Sequence, residues 1–130
     1  MTRKRILVAE DNPMNRDLLV QLLESLGDLV LAENGLEAVE LAQSDPPDLI
    51  LMDLSMPVLS GWDAIQMLKR RVLTRQIPVV AVSARTMDEE VTRARRAGVD
   101  DFVSLPLDES RLFQVIGRFL GHAASPVGAA

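Results

Sequence analysis

Five short apolar runs, each followed by a stretch with helical spacing, constrain this chain more than any other feature. The runs are RILVA (5–9), LVLA (29–32), DLILM (48–52), IPVVAV (77–82) and DFVS (101–104). Most are Val-, Ile- and Leu-rich without polar alternation, the pattern of strands buried on both faces. Helices are predicted between them: 13–26, 35 to about 44, 61–71, 88–97, and from Asp108 or Glu109 to near Gly121. Gly27, Pro46-Pro47 and Gly98 supply stops, and Ser60 can cap the third helix. Strict alternation of strand and helix implies an α/β doubly wound fold with a five-stranded parallel sheet. Order is not readable from the pattern. The common order for five strands, 2-1-3-4-5, puts a ligand crevice where the first and third strands end.

The 130 residues suit one domain, expected over 1–121, with a loose Pro- and Gly-bearing tail over 122–130. Met1 and the Ala-rich end suggest a separate protein, although an excised domain would read the same way. With no cysteine, disulfides, thiol chemistry and cysteine-held metals are excluded. The single histidine, His122, falls in the expected tail, which disfavours Ser-His-Asp catalysis and histidine-based metal sites. A net charge of −5 disfavours nucleic acid as a partner. No segment resembles a signal peptide or a membrane span. The basic groups Lys69, Arg70, Arg71 and Arg75, and Arg93, Arg95 and Arg96, read as solvated helix faces.

The acids fall where the chemistry would be. Glu10 and Asp11 follow the first strand, and Asp53 follows the third. In the common order those strand ends are neighbours. Carboxylates brought together raise one another's pKa, and a hard cation with oxygen ligands relieves the repulsion. Mg2+ fits, because it accepts one or two carboxylates and keeps waters for a phosphate. Taken singly, each acid could merely cap a helix or end a strand. Ser83 and Leu105 end the fourth and fifth strands on the same edge. A hydroxyl at Ser83 could bond an oxyanion at Asp53. A cation would be expected beside a phosphoryl group there, and Leu105 is none.

The stretches ILVAEDNPMNRDLL, ENGLEAVELA, PDLILMDLSMPVLSGWDAI, IPVVAVSA and AGVDDFVSLPLD carry a resemblance. In this order and spacing they resemble the receiver domain of bacterial two-component response regulators, over nearly all of residues 4–120. The likeness implies a flavodoxin-like (βα)5 fold and a stand-alone, chemotaxis-regulator-like protein. It implies Asp53 as phosphoacceptor, with Glu10, Asp11, Asp53 and the Ser55 backbone carbonyl holding Mg2+. Ser83 and Phe102 match the switch pair, and Pro106 matches a proline that usually follows a cis peptide. A histidine kinase or a histidine phosphotransfer protein would supply the phosphoryl group, in the cytoplasm, and an unnamed downstream protein would read it. Such a protein catalyses only its own phosphorylation and dephosphorylation. Met14, beside the acids, falls in the implied kinase footprint and is expected to be partly exposed. Arg95, Arg96 and Phe102 belong to the second implied surface.

Leu105 departs from the family, which normally has a lysine before that proline. Three readings follow: a phospho-receiver with an altered switch, a docking module independent of phosphorylation, or a lysine deliberately replaced. A Mg2+-dependent phosphohydrolase would want a second acid two residues after Asp53, where Ser55 stands. A nucleotide binder would want a Gly-rich phosphate loop, and none is present.

Overall fold

The computed structural model describes residues 4–56, 58–83 and 88–121, so the tail over 122–130, with His122, lies outside the described residues. Five parallel strands alternate with five helices. They are β1 (Arg5–Ala9), α1 (Pro13–Leu23), β2 (Asp28–Ala32), α2 (Gly35–Ser44) and β3 (Leu49–Asp53), then α3 (Gly61–Arg70), β4 (Val79–Ser83), α4 (Asp88–Ala97), β5 (Asp101–Ser104) and α5 (Glu109–Leu120). The sheet order is β2-β1-β3-β4-β5. The chain therefore reverses its winding between β1 and β3, which opens a crevice at their C-terminal ends.

Alternate strand residues feed two cores. Leu7, Ala9, Ile50, Met52, Val79 and Ala81 pack under α2, α3 and α4. Ile6, Val8, Leu49, Leu51, Val80 and Val103 pack under α1 and α5. Each fully buried Ile or Leu contributes about 1.5–3 kcal/mol over exposure. Two apolar faces per strand explain the unbroken apolar runs.

Boundaries moved for identifiable reasons. Helix α1 ends at Leu23 rather than Leu26: the Leu26 amide donates to the Leu23 carbonyl in a turn, and the Asp28 amide donates to Lys4. Gly27 permits this close return, since a Cβ there would lie 2.4 Å from the Lys4 carbonyl oxygen. Leu19 and Leu23 are buried, while Leu22 and Leu26 pack at the edge of the same core. Strand β4 starts at Val79 because Ile77 closes a turn on Thr74 and Pro78 has no amide to donate. Strand β3 runs one residue further than expected, so Asp53 sits within the ladder opposite Val82.

The loop after β3 is tightly folded. A Cβ on Gly61 would lie 2.2 Å from the Asp53 carbonyl oxygen and 2.7 Å from the Leu54 Cα. Val58 in the same loop has φ of 68° and is exposed. A β-branched residue in the left-handed region costs on the order of 1–3 kcal/mol. Gly61→Ala is expected to destabilise the fold by about 1–3 kcal/mol, and Val58→Asn to stabilise it by up to about 1 kcal/mol. Urea denaturation of the two variants checks both signs.

Candidate functional site

Capping chemistry separates the acids from the helix they precede. Asn12 is the N-cap of α1, its Oδ1 accepting from Met14 and Asn15 at 2.9 and 3.1 Å. Glu10 and Asp11 are thereby left to the crevice. The Glu10 amide donates to the Ala32 carbonyl, which holds its backbone against β2. Across the crevice, the Leu54 amide donates to Val82 and the Gly61 amide to Leu54, which fixes the chain after Asp53.

Carboxylate oxygens of Glu10, Asp11 and Asp53 lie within 4.8 Å of one another. Glu10 is 1 % exposed, Asp53 is half-buried and Asp11 is exposed. Oε2 of Glu10 accepts from the Asn12 amide at 3.2 Å, whereas its Oε1 is buried with no partner. An unpartnered buried carboxylate oxygen costs free energy unless a proton or a cation meets it. Burial, and then the neighbouring Asp53 carboxylate, push the Glu10 pKa up to about 8. Burial likewise raises Asp53, against the opposing effects of its bonds to Glu10 and to the Ser55 amide. Three oxygen donors with an orphaned lone pair suit a hard divalent cation such as Mg2+.

Of the other expected site residues, Ser55 touches the cluster directly. The Ser55 amide donates to Asp53 Oδ1 at 3.0 Å. Ser83 ends β4 with 4 % exposure. The Leu105 amide donates to the Ser83 carbonyl at 2.8 Å, and the Leu105 side chain packs with Leu107 against the α1–α5 core. The Leu105–Pro106 peptide is cis. Phe102 is half-buried against the opposite core. Arg95 and Arg96 are exposed. A cavity of about 330 Å3 beside Phe102 is lined by Arg95, Asp101, Arg111 and Arg118. Met14 is 81 % exposed at the start of α1.

Lys69, Arg93 and Arg16 each make a contact that the sequence does not announce. Lys69 is no solvated face: its Nζ donates to the Ile77 carbonyl at 2.9 Å and to Asp100 Oδ2 at 2.8 Å. That carboxylate also accepts from the Val79 amide, joining α3 to the start of β4. Arg93 stacks 4.6 Å above the Trp62 ring, which joins α4 to α3. Arg16, unremarkable as a letter in α1, reaches Glu10: its Nη1 donates to the Glu10 carbonyl oxygen at 3.4 Å and lies 3.7 Å from Glu33 Oε1. Helical spacing carries no sign of that contact.

The response regulator receiver domain family model matches residues 6–117. A polar-differentiation response regulator of Brucella anthropi is 38 % identical over 121 residues, covering 92 % of this chain and 98 % of the relative. The receiver domain of a sensor histidine kinase from Pseudomonas aeruginosa, crystallised with magnesium in its active-site cleft, superposes with a TM-score of 0.85. That domain is 30 % identical, and the match covers 92 % of this chain and 99 % of it. A chemotaxis protein of Vibrio cholerae has the same fold, with a TM-score of 0.84, 21 % identity and coverage of 91 % and 99 %.

The raised Glu10 pKa sets a pH dependence. In the metal-free protein the folded state binds more protons than the unfolded state between 4.5, the ordinary value, and about 8. Stability at Glu10 is therefore full below that window and is lost as pH rises through it. In EDTA, the stability of the protein relative to Glu10→Gln is expected to fall from pH 4.5 to pH 8. Parallel pH profiles in urea denaturation would contradict the assignment.

Proposed function

The chain belongs to the response regulator receiver family, and from that membership we propose that it accepts a phosphoryl group on Asp53. The observation that carries this is the meeting of Glu10, Asp11 and Asp53 at the switch edge of the sheet, with Glu10 Oε1 unpartnered. An Asp53 carboxylate oxygen attacks phosphorus in line. The bond from phosphorus to the leaving group breaks, and its electron pair leaves on that group, giving an acyl phosphate. Glu10, Asp11, Asp53 and the Ser55 carbonyl would hold Mg2+, which supplies neutralising charge to the phosphoryl oxygens. The Ser55 amide orients Asp53 through Oδ1, leaving the other oxygen to attack. The buried Ser83 hydroxyl is the donor on the β4 side of the crevice, and Phe102 is the neighbouring residue whose packing would respond. A histidine kinase or histidine phosphotransfer protein is the donor, docking across Met14 and the mouth of the crevice. The exposed Arg95 and Arg96 with Phe102 form the surface read downstream. The receiver unit spans 1–121, and its work is signalling in the cytoplasm.

Leu105 favours a second reading. Its side chain sits on the apolar core and offers no donor to a phosphoryl group, as suits a docking module that works unphosphorylated. Incubation with acetyl phosphate and Mg2+, followed by intact-mass measurement, separates the two. One added phosphoryl group, absent in Asp53→Asn, is the expected result. No gain would leave the docking reading standing. Leu105→Lys is expected to speed phosphorylation by roughly tenfold or more, because a charge-assisted hydrogen bond contributes about 1.5–3 kcal/mol. An unchanged rate would mean that the missing lysine is immaterial here.

A further inference from the structure

A phosphoryl group on Asp53 would carry a charge of about −2 beside the carboxylates of Glu10 and Asp11. One divalent cation leaves that assembly anionic. The β5 side contributes Leu105, so the remaining countercharge must come from another wall of the crevice. Among the described residues, Arg16 is the cation that bonds directly to a member of the acidic cluster, through the Glu10 carbonyl at 3.4 Å.

Two features set Arg16 apart from an ordinary surface arginine. Its side chain is only 20 % exposed. It also stands in the first turn of α1, a turn with no acidic residue. A cation there opposes the helix dipole by about 0.3–1 kcal/mol, so the helix itself gains nothing from it. Its two contacts are long, 3.4 Å to Glu10 and 3.7 Å to an exposed Glu33 carboxylate. Bonds of that length and exposure are weak and exchange readily. The guanidinium is thus held loosely beside the Glu10 backbone, between the ends of β1 and β2.

We infer that Arg16 takes over the charge role left empty by Leu105, turning from Glu33 toward the phosphoryl group that forms on Asp53. Its planar, permanently charged fork suits phosphoryl oxygens. This role presupposes that Asp53 is the acceptor. It goes beyond that assignment by naming a second phosphoryl-contacting side chain, on α1 rather than β5.

A double-mutant cycle tests it. Initial rates of phosphorylation by acetyl phosphate with Mg2+ would be measured by intact mass for the protein, Arg16→Gln, Leu105→Lys and the double variant. Half-saturating acetyl phosphate, Mg2+ affinity by calorimetry and thermal unfolding would be measured beside them. Arg16→Gln is expected to slow the reaction at least tenfold with Leu105 in place and less than threefold with lysine at 105. Arg16→Lys should restore most of the rate, and Mg2+ affinity should change little. Equal losses in both backgrounds would overturn the role, because a merely structural arginine acts the same way whatever stands at 105. Leu105→Arg repeats the cycle if the lysine variant unfolds. Absence of phosphorylation in every variant would instead remove Asp53 as acceptor, and with it the premise.

Discussion

Repulsion among carboxylates at one end of a parallel sheet is the constraint around which this molecule is organised. Two neighbouring strands deliver Glu10, Asp11 and Asp53 to the same few ångströms. That proximity is costly in isolation: Glu10 is held protonated well above its ordinary range, and one of its oxygens has no partner. The fold tolerates the cost because the rest is rigidly determined. Asn12 caps α1, Ser55 and Gly61 hold the loop after β3, and two apolar cores clamp the strands. A site of this kind suits a divalent cation, which would relieve repulsion already present.

Leu105 marks where this crevice differs from the pattern that its family resemblance implies. At 105 the backbone does what β5 needs: its amide extends the ladder to Ser83, and the cis proline follows. The side chain turns to the core between α1 and α5. Positive charge approaches the cluster from the opposite wall, through an arginine in the first turn of α1. A cation on α1 draws on a different part of the molecule from one on β5.

Much of this was legible in the amino-acid string. Strands buried on both faces leave unbroken apolar runs, so β1 and β5 were readable to the residue. The acids were readable because they punctuate those runs. Turns that depend on tertiary approach were not: α1 stops at Leu23 because Gly27 must pass the Lys4 carbonyl. Nor was the buried engagement of Lys69, whose partner Asp100 lies 31 residues away. Arg16 was missed for a related reason. Its significance lies in a contact with a backbone carbonyl, which no side-chain pattern records. Membership of the receiver family and the sheet order agree with expectation.

Calorimetric titration with Mg2+ near neutral pH, repeated in two buffers of different ionisation enthalpy, reaches the central claim most directly. If the crevice is a cation site under electrostatic compression, Mg2+ binds with one-to-one stoichiometry and releases protons into the buffer. Both the binding and the release should be lost in Asp53→Asn and Glu10→Gln. Undiminished binding in those variants, or no binding to the native protein, would mean that the three carboxylates meet for some reason other than a metal-assisted phosphoryl site.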